Sequence, residues 1–240
     1  MANEPIVLSV PGHAELRLST TSGRVTLTAE ERSDIEITSG APDREKIESD
    51  ATGLIALTSK RGGSATLEVR CPIGTDVAIG TISGSAHLIG NVGQVRVTTV
   101  SGDVNVAHAE TLDARSVSGN IEVDHCSGRC RLQTKSGRVT CRLSGDTAVS
   151  TVSGRVQLDS GTGKIRVQSA SGKVQLCTQG NGDVAVRTLS GSVKVEVPQN
   201  VRPNTRLRSM SRKPRCECEE GNDCKIKVQS LSGKIEVVPI

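Results

Sequence analysis

Apolar and polar residues alternate along most of this chain in short paired runs, and a Ser-Gly dipeptide separates the two runs of each pair. The fullest copies are Val95 to Val106, Ile165 to Leu176 and Ile226 to Val237, which share the template apolar-x-apolar-x-Ser/Thr-x-Ser-Gly-x-apolar-x-apolar. Period-two alternation predicts strands with one buried face. Glycine tolerates the backbone of a tight corner, so each copy predicts strand, corner, strand.

The serines of these dipeptides stand at Ser83, Ser101, Ser118, Ser136, Ser153, Ser171, Ser190 and Ser232, at steps of 17 to 19 residues with a last step of 42 that Ser211 divides evenly. A fixed period of this size marks a repeat architecture whose units bury their apolar faces against their neighbours. The expected fold is therefore all-β: a β-solenoid, or β-helix, with two strands per coil of 17–19 residues. Stacking the copies predicts one inward column of Val77, Val95, Leu112, Cys130, Thr147, Ile165, Val184 and Ile226. The second arm gives another, of Val104, Ile121, Val139, Val156, Val174, Val193 and Ile235.

The ends depart from the period. Leu16 to Leu27 fits the template and Ile35 to Gly40 reads as a shortened copy, but Ala41 to Pro72 breaks the pattern with Pro42, a charged stretch and Gly62-Gly63. An open terminal coil is an unpaired edge that solenoids cover. The irregular stretch is accordingly expected to form part of an N-terminal cap. This divides one continuous domain into N-terminal strands and cap over residues 1–75 and solenoid repeats over 76–240. A second interruption runs from Pro198 to Asp223.

Composition sharpens the picture. None of the 240 residues is Phe, Tyr or Trp, which suits a narrow stack of aliphatic columns better than an ordinary core, where aromatics supply much of the buried area. A net charge of +4 is too small to predict a nucleic-acid partner without a concentrated patch. No apolar run approaches the roughly 20 residues of a membrane helix. With no apolar signal region after Met1 and only 8 cysteines, the expectation is a cytoplasmic protein with reduced thiols.

The repeated Thr-x-Ser-Gly-x-Val-x-Val unit, entered through Glu68-Val69-Arg70-Cys71-Pro72-Ile73-Gly74, resembles the bacterial adhesin-like β-strand repeat family, catalogued as a domain of unknown function. The ending is similar too: Val195-Glu196-Val197-Pro198, a spacer to Leu207, Gly221-Asn222-Asp223 and Ser232-Gly233-Lys234-Ile235-Glu236-Val237. The resemblance covers nearly the whole chain and implies a β-solenoid with an adhesin-like, protein-binding role.

Candidate chemistry is sparse. His108 and His125 each follow a Ser-Gly serine by seven residues, and Cys126 is adjacent, so stacked coils would set imidazole and thiol near enough to hold Zn²⁺. Cys216, Cys218 and Cys224 lack the paired spacing of a zinc ribbon. Six cations, Arg202, Arg206, Arg208, Arg212, Lys213 and Arg215, precede a block of Glu217, Glu219, Glu220 and Asp223. They form a candidate docking surface for a protein partner, or pair with those acids across a hairpin. The Ser/Thr row two residues before each corner serine reads as capping of corner backbone groups, ahead of an ice-binding ladder. No triad, phosphate-cradling loop or paired-carboxylate motif is legible.

The expected function is thus a non-catalytic scaffold that binds a protein partner or itself. The alternatives are a filament built by end-to-end self-association, and a metal-binding or enzymatic solenoid. Neither nucleic acid nor membrane is expected as a partner, and no cofactor other than Zn²⁺.

Overall fold

Valine, isoleucine and leucine at alternate positions suit a pleated, half-buried surface, and a computed structural model shows them on parallel strands that wind coil upon coil. It describes residues 5–9, 15–39, 45–49, 54–59 and 65–240, in two compact units, residues 1–120 and 121–240. The coils have a first arm and a second arm, which a Ser-Gly corner separates in most of them; Ser211-Arg212 stands there between β18 and β19.

The first unit holds β1 (Ile6–Ser9), β2 (Glu15–Thr20), β3 (Gly23–Glu30), β4 (Asp34–Ser39), β5 (Glu45–Ser49), β6 (Leu54–Ser59), β7 (Ala65–Pro72), β8 (Asp76–Thr81), β9 (Ser85–Thr98) and β10 (Val104–Ser116). First arms pair in parallel in the order β6, β2, β8, β9, β10, and second arms in the order β7, β3, β9, β10. The coil of β2 and β3 therefore sits inside the coil of β6 and β7, although it comes earlier in the chain. Residues 40–44, 50–53 and 60–64 of the expected cap lie outside the described residues. Its described strands include the regular coil of β6 and β7. Outside that coil run the antiparallel strands: β5 on β6, β4 on β7 and β1 on β4. Residues Ile35 to Ser39 are thus a strand of opposite direction, not the shortened parallel copy the pattern suggested.

The second unit holds β11 (Ile121–Cys126), β12 (Cys130–Ser144), β13 (Thr147–Gly161), β14 (Ile165–Ser171), β15 (Val174–Thr178), β16 (Val184–Ser190), β17 (Val193–Val197), β18 (Asn204–Ser209), β19 (Arg215–Cys216), β20 (Lys225–Ser232) and β21 (Ile235–Pro239). First arms run β12, β13, β14, β16, β20, β18 and second arms β11, β12, β13, β15, β17, β21, β19, all parallel. Ser190 lies directly opposite Ser232. The copy at Ser211 consequently does not lie between them, as the even division of the 42-residue step implied. It belongs to the outermost coil, and the last coil of the chain is inserted beneath it.

Within each unit the predicted columns are those of the structure. Cys130, Thr147, Ile165, Val184 and Ile226 are successive partners, as are Val139, Val156, Val174, Val193 and Ile235, and all are buried. Burying each such aliphatic side chain contributes about 1.5–3 kcal/mol, which replaces the missing aromatics by repetition.

The corners close by two devices. Thr99 and Ser116 are buried, and their hydroxyls accept hydrogen bonds from the amides of Gly102 at 3.0 Å and Gly119 at 2.8 Å. At these two corners this is the predicted capping, whereas Thr134, Thr151 and Ser230 of the same row have no hydrogen-bond partner; the whole row is buried, where it cannot form a flat face toward water. The glycine is required for space as much as for conformation. A Cβ on Gly102 would overlap the carbonyl oxygen of Gly84 one coil away, whereas Gly191 combines a φ of +144° with the same clash against Gly172.

Candidate functional site

The proposed metal ligands do not converge. On β11, Cys126 is fully buried while His125 is half-exposed, and neighbouring residues of a strand point to opposite faces. His108 is an exposed residue of β10, in the other unit. Among the described residues no group of three or more His, Cys, Asp or Glu side chains is placed to hold a metal ion. Cys126 joins the core beside Cys130, whose thiol is held well above its ordinary range by hydrogen bonding with Cys126 and Cys141 and by burial.

Two other cysteines, Cys218 and Cys177, are unsuited to thiolate chemistry, which needs a lowered pKa. Burial, then Cys216, push the Cys218 thiol up to about 11. A groove of about 220 Å³ passes Cys177, and there burial, Glu196 and Asp159 all raise the thiol.

The basic block is better placed. Arg206 and Arg208 are exposed on β18, the outermost first arm. Arg202 pairs with Glu219 at 3.0 Å and Arg215 pairs with Glu217, so the following acids account for two of the six cations, although β18 and β19 are arms of a parallel coil and not the expected hairpin. Arg212 and Lys213 are exposed in the connection that follows β18.

Arg206 is also the end of a longer array that the chain order hides. Besides Lys225, the outward positions of the first arms in residues 121–240 carry Arg131, Arg166, Arg187, Lys227, Arg206 and Arg208 and no Asp or Glu. None of these six forms an ion pair among the described residues. By contrast, the corresponding column in residues 1–120 places Asp113 beside Arg96, and Asp113 pairs with Arg115 at 2.9 Å.

From β12 to β20 register gives the array a period of two coils, beyond which Arg206 on β18 directly adjoins Lys227. Across β12, β13, β14, β16 and β20 one outward column reads Arg131, Ala148, Arg166, Ala185, Lys227. The column two residues earlier reads Arg129, Asp146, Lys164, Asp183, Lys225. Both aspartates are engaged with backbone: the Lys164 amide donates to Asp146 Oδ1 at 2.9 Å and the Lys225 amide to Asp183 Oδ1 at 3.1 Å. These residues line an open groove of about 490 Å³, whose floor dips at the two alanines. Strands lie about 4.8 Å apart, so the cations of one column recur about every 9.6 Å. That exceeds the Debye length of about 8 Å at physiological salt, which limits their mutual repulsion. An exposed aliphatic border of Val152, Leu189 and Leu231 follows the same strands toward the Ser-Gly corner.

A family model described as Toastrack DUF4097 matches residues 13–237. The chain belongs to this family. The Toastrack chain overlays on a candidate adhesin from Parabacteroides distasonis ATCC 8503 at 12% identity and a TM-score of 0.49, covering 98% of this chain and 96% of that one. A candidate adhesin from Bacteroides fragilis NCTC 9343 gives 12% identity and a TM-score of 0.40 over 98% and 96%. A candidate lipid-binding protein from P. distasonis ATCC 8503 gives 12% and 0.47 over 98% and 96%. No curated protein matches the chain at a significant level.

Proposed function

We propose that this Toastrack protein is a non-catalytic binding scaffold that docks a partner protein through an acidic surface, using the first-arm face of residues 121–240. The observation that carries the reading is the predominantly cationic outward face of β12, β13, β14, β16, β20 and β18, whose strands hold no Asp or Glu and whose acids Asp146 and Asp183 stand only at the strand starts, each accepting from a backbone amide. A face of one sign raises the association rate with an oppositely charged partner and sets its orientation. Its side chains stand on strands whose inward neighbours are locked in the core, so they are held without being ordered by the ligand.

End-to-end assembly is disfavoured by the outermost first arm. Pro203 immediately precedes β18, and Arg206 and Arg208 lie on it; proline and charge are the usual means of blunting an exposed edge.

Titration with poly-L-glutamate tests the reading. The triple variant Arg131→Glu, Arg166→Glu, Lys227→Glu should lose binding. The charge-matched variant Arg24→Glu, Arg70→Glu, Arg96→Glu in residues 1–120 should retain it. Equal weakening in both variants would reduce the interaction to net charge and remove this face as the site.

A further inference from the structure

We propose that the groove over Ala148 and Ala185 accepts an extended acidic segment of the partner in the polyproline II conformation, with a carboxylate at every third residue. This rests on the binding reading above and adds the conformation and spacing of what is bound.

The argument is one of matched repeats. Arg131, Arg166 and Lys227 occupy alternate coils, so four strand spacings, about 19 Å, separate the first from the last. A polyproline II chain has three residues per turn and rises 3.1 Å per residue, so six residues also span about 19 Å and return side chains to one face at every third position. The other regular forms fit worse. An extended strand repeats its face every two residues, at about 6.8 Å, and an α-helix has no whole number of turns near this length.

Between the cations the column falls to half-buried Ala148 and Ala185, leaving space for the ridge of a narrow helix without internal hydrogen bonds. The second column, Arg129, Lys164 and Lys225, stands on the same coils as the first. Each carboxylate would meet two cations rather than one, which favours charge-assisted hydrogen bonds. The intervening Asp146 and Asp183 are already acceptors for backbone amides, and they repel an acid placed on the wrong coil. A polyproline II ligand also brings its shape with it, so less conformational freedom is lost on binding. An acidic polysaccharide could present charges at a comparable spacing, but sugar rings commonly rest on aromatic platforms, and this chain has no aromatic residue.

The test uses the full chain and two capped synthetic peptides of equal composition: Glu-Pro-Pro repeated four times, and a block peptide with its four glutamates consecutive. The spaced peptide should bind about tenfold more tightly by fluorescence anisotropy at physiological salt. The charge-conserving exchange Arg166→Ala with Ala185→Arg, both on outward strand positions, should bring the two affinities together while circular dichroism remains that of the wild type. Equal binding of the two peptides to the wild-type chain would overturn the spacing proposal and leave the acidic-partner reading intact. Tighter binding of an alternating uronate polysaccharide than of the spaced peptide would overturn the peptide assignment. Failure of both peptides together with poly-L-glutamate would retire both readings.

Discussion

The buried hydroxyl row permits a prediction in which two chemically identical substitutions have opposite signs. Thr99 is 2% exposed, and its Oγ1 accepts from the Gly102 amide at 3.0 Å. Thr151 occupies the equivalent place in its own coil at 5% exposure, and its Oγ1 has no hydrogen-bond partner. Valine matches threonine in shape, so neither substitution opens a cavity. Thr99→Val removes the acceptor of a buried amide, which costs about 1–3 kcal/mol. Thr151→Val removes a buried hydroxyl that already bears its desolvation penalty without a bond, and should stabilise by roughly 1 kcal/mol. A gap of at least about 2 kcal/mol is expected, corresponding to a urea midpoint difference on the order of 1 M. The two residues lie in different compact units, so the readout is hydrogen exchange of the flanking strands alongside urea unfolding. Thr99→Ser, which keeps the acceptor, serves as the control. Comparable destabilisation by Thr99→Val and Thr151→Val would refute the claim that paired hydroxyls stabilise these corners through their hydrogen bonds.

Two further outcomes follow from local geometry. His87 is partly buried with its Nδ1 3.2 Å from Asn105 Nδ2, and burial, then Arg24, hold its pKa below the ordinary value of 6.5. The unfolded chain therefore binds more protons than the folded one as pH falls below 6.5, so folding stability should decline there, and His87→Gln should flatten that decline in urea titrations at stepped pH. Gly191→Ala combines an unfavourable φ with a clash against the Gly172 carbonyl oxygen, and should cost at least about 2 kcal/mol, seen as a lowered melting temperature; a neutral result would mean that the corner shifts freely.

Repetition made the interior legible. One inward register, fixed at Ser101 or Ser153, carries over to every copy because a slip of a single residue would turn a whole strand inside out. Ile165, Val184 and Ile226 could thus be assigned to one column from the pattern alone. Corners were legible as glycine positions but only partly as physics. Positive φ is the reason at Gly191, while at Gly102 the reason is the approach of one coil's backbone to the next. Counting residues from the Ser-Gly serines gave His125 and His108 the same place in their copies but did not say that Cys126, one residue on, faces the core. The cationic face was hidden by distance in sequence. Arg131, Arg166 and Lys227 stand singly among neutral residues along the chain, and only the pairing of alternate coils collects them. The clustered block from Arg202 to Arg215 drew attention instead, and contributes Arg206 and Arg208 to the same face.

Both ends of the chain obey a rule that the spacing signalled without explaining. The step of 42 residues to Ser232 is two periods long because the intervening coil was set aside, outside its successor. The same exchange occurs near the N-terminus, where β2 and β3 lie between the coil of β6 and β7 and the coil of β8 and β9. The exchange gives β2, β3, β20 and β21 parallel partners on both sides. The arrangement has a kinetic consequence: β20 cannot settle between β16 and β18 until the chain from Pro198 to Asp223 stands clear. Pairings of such sequence separation form late. Pulse-labelled hydrogen exchange during refolding should therefore protect β14 and β16 before β18 and β20, and simultaneous protection of all four would show that the inserted coil forms with the body of its unit.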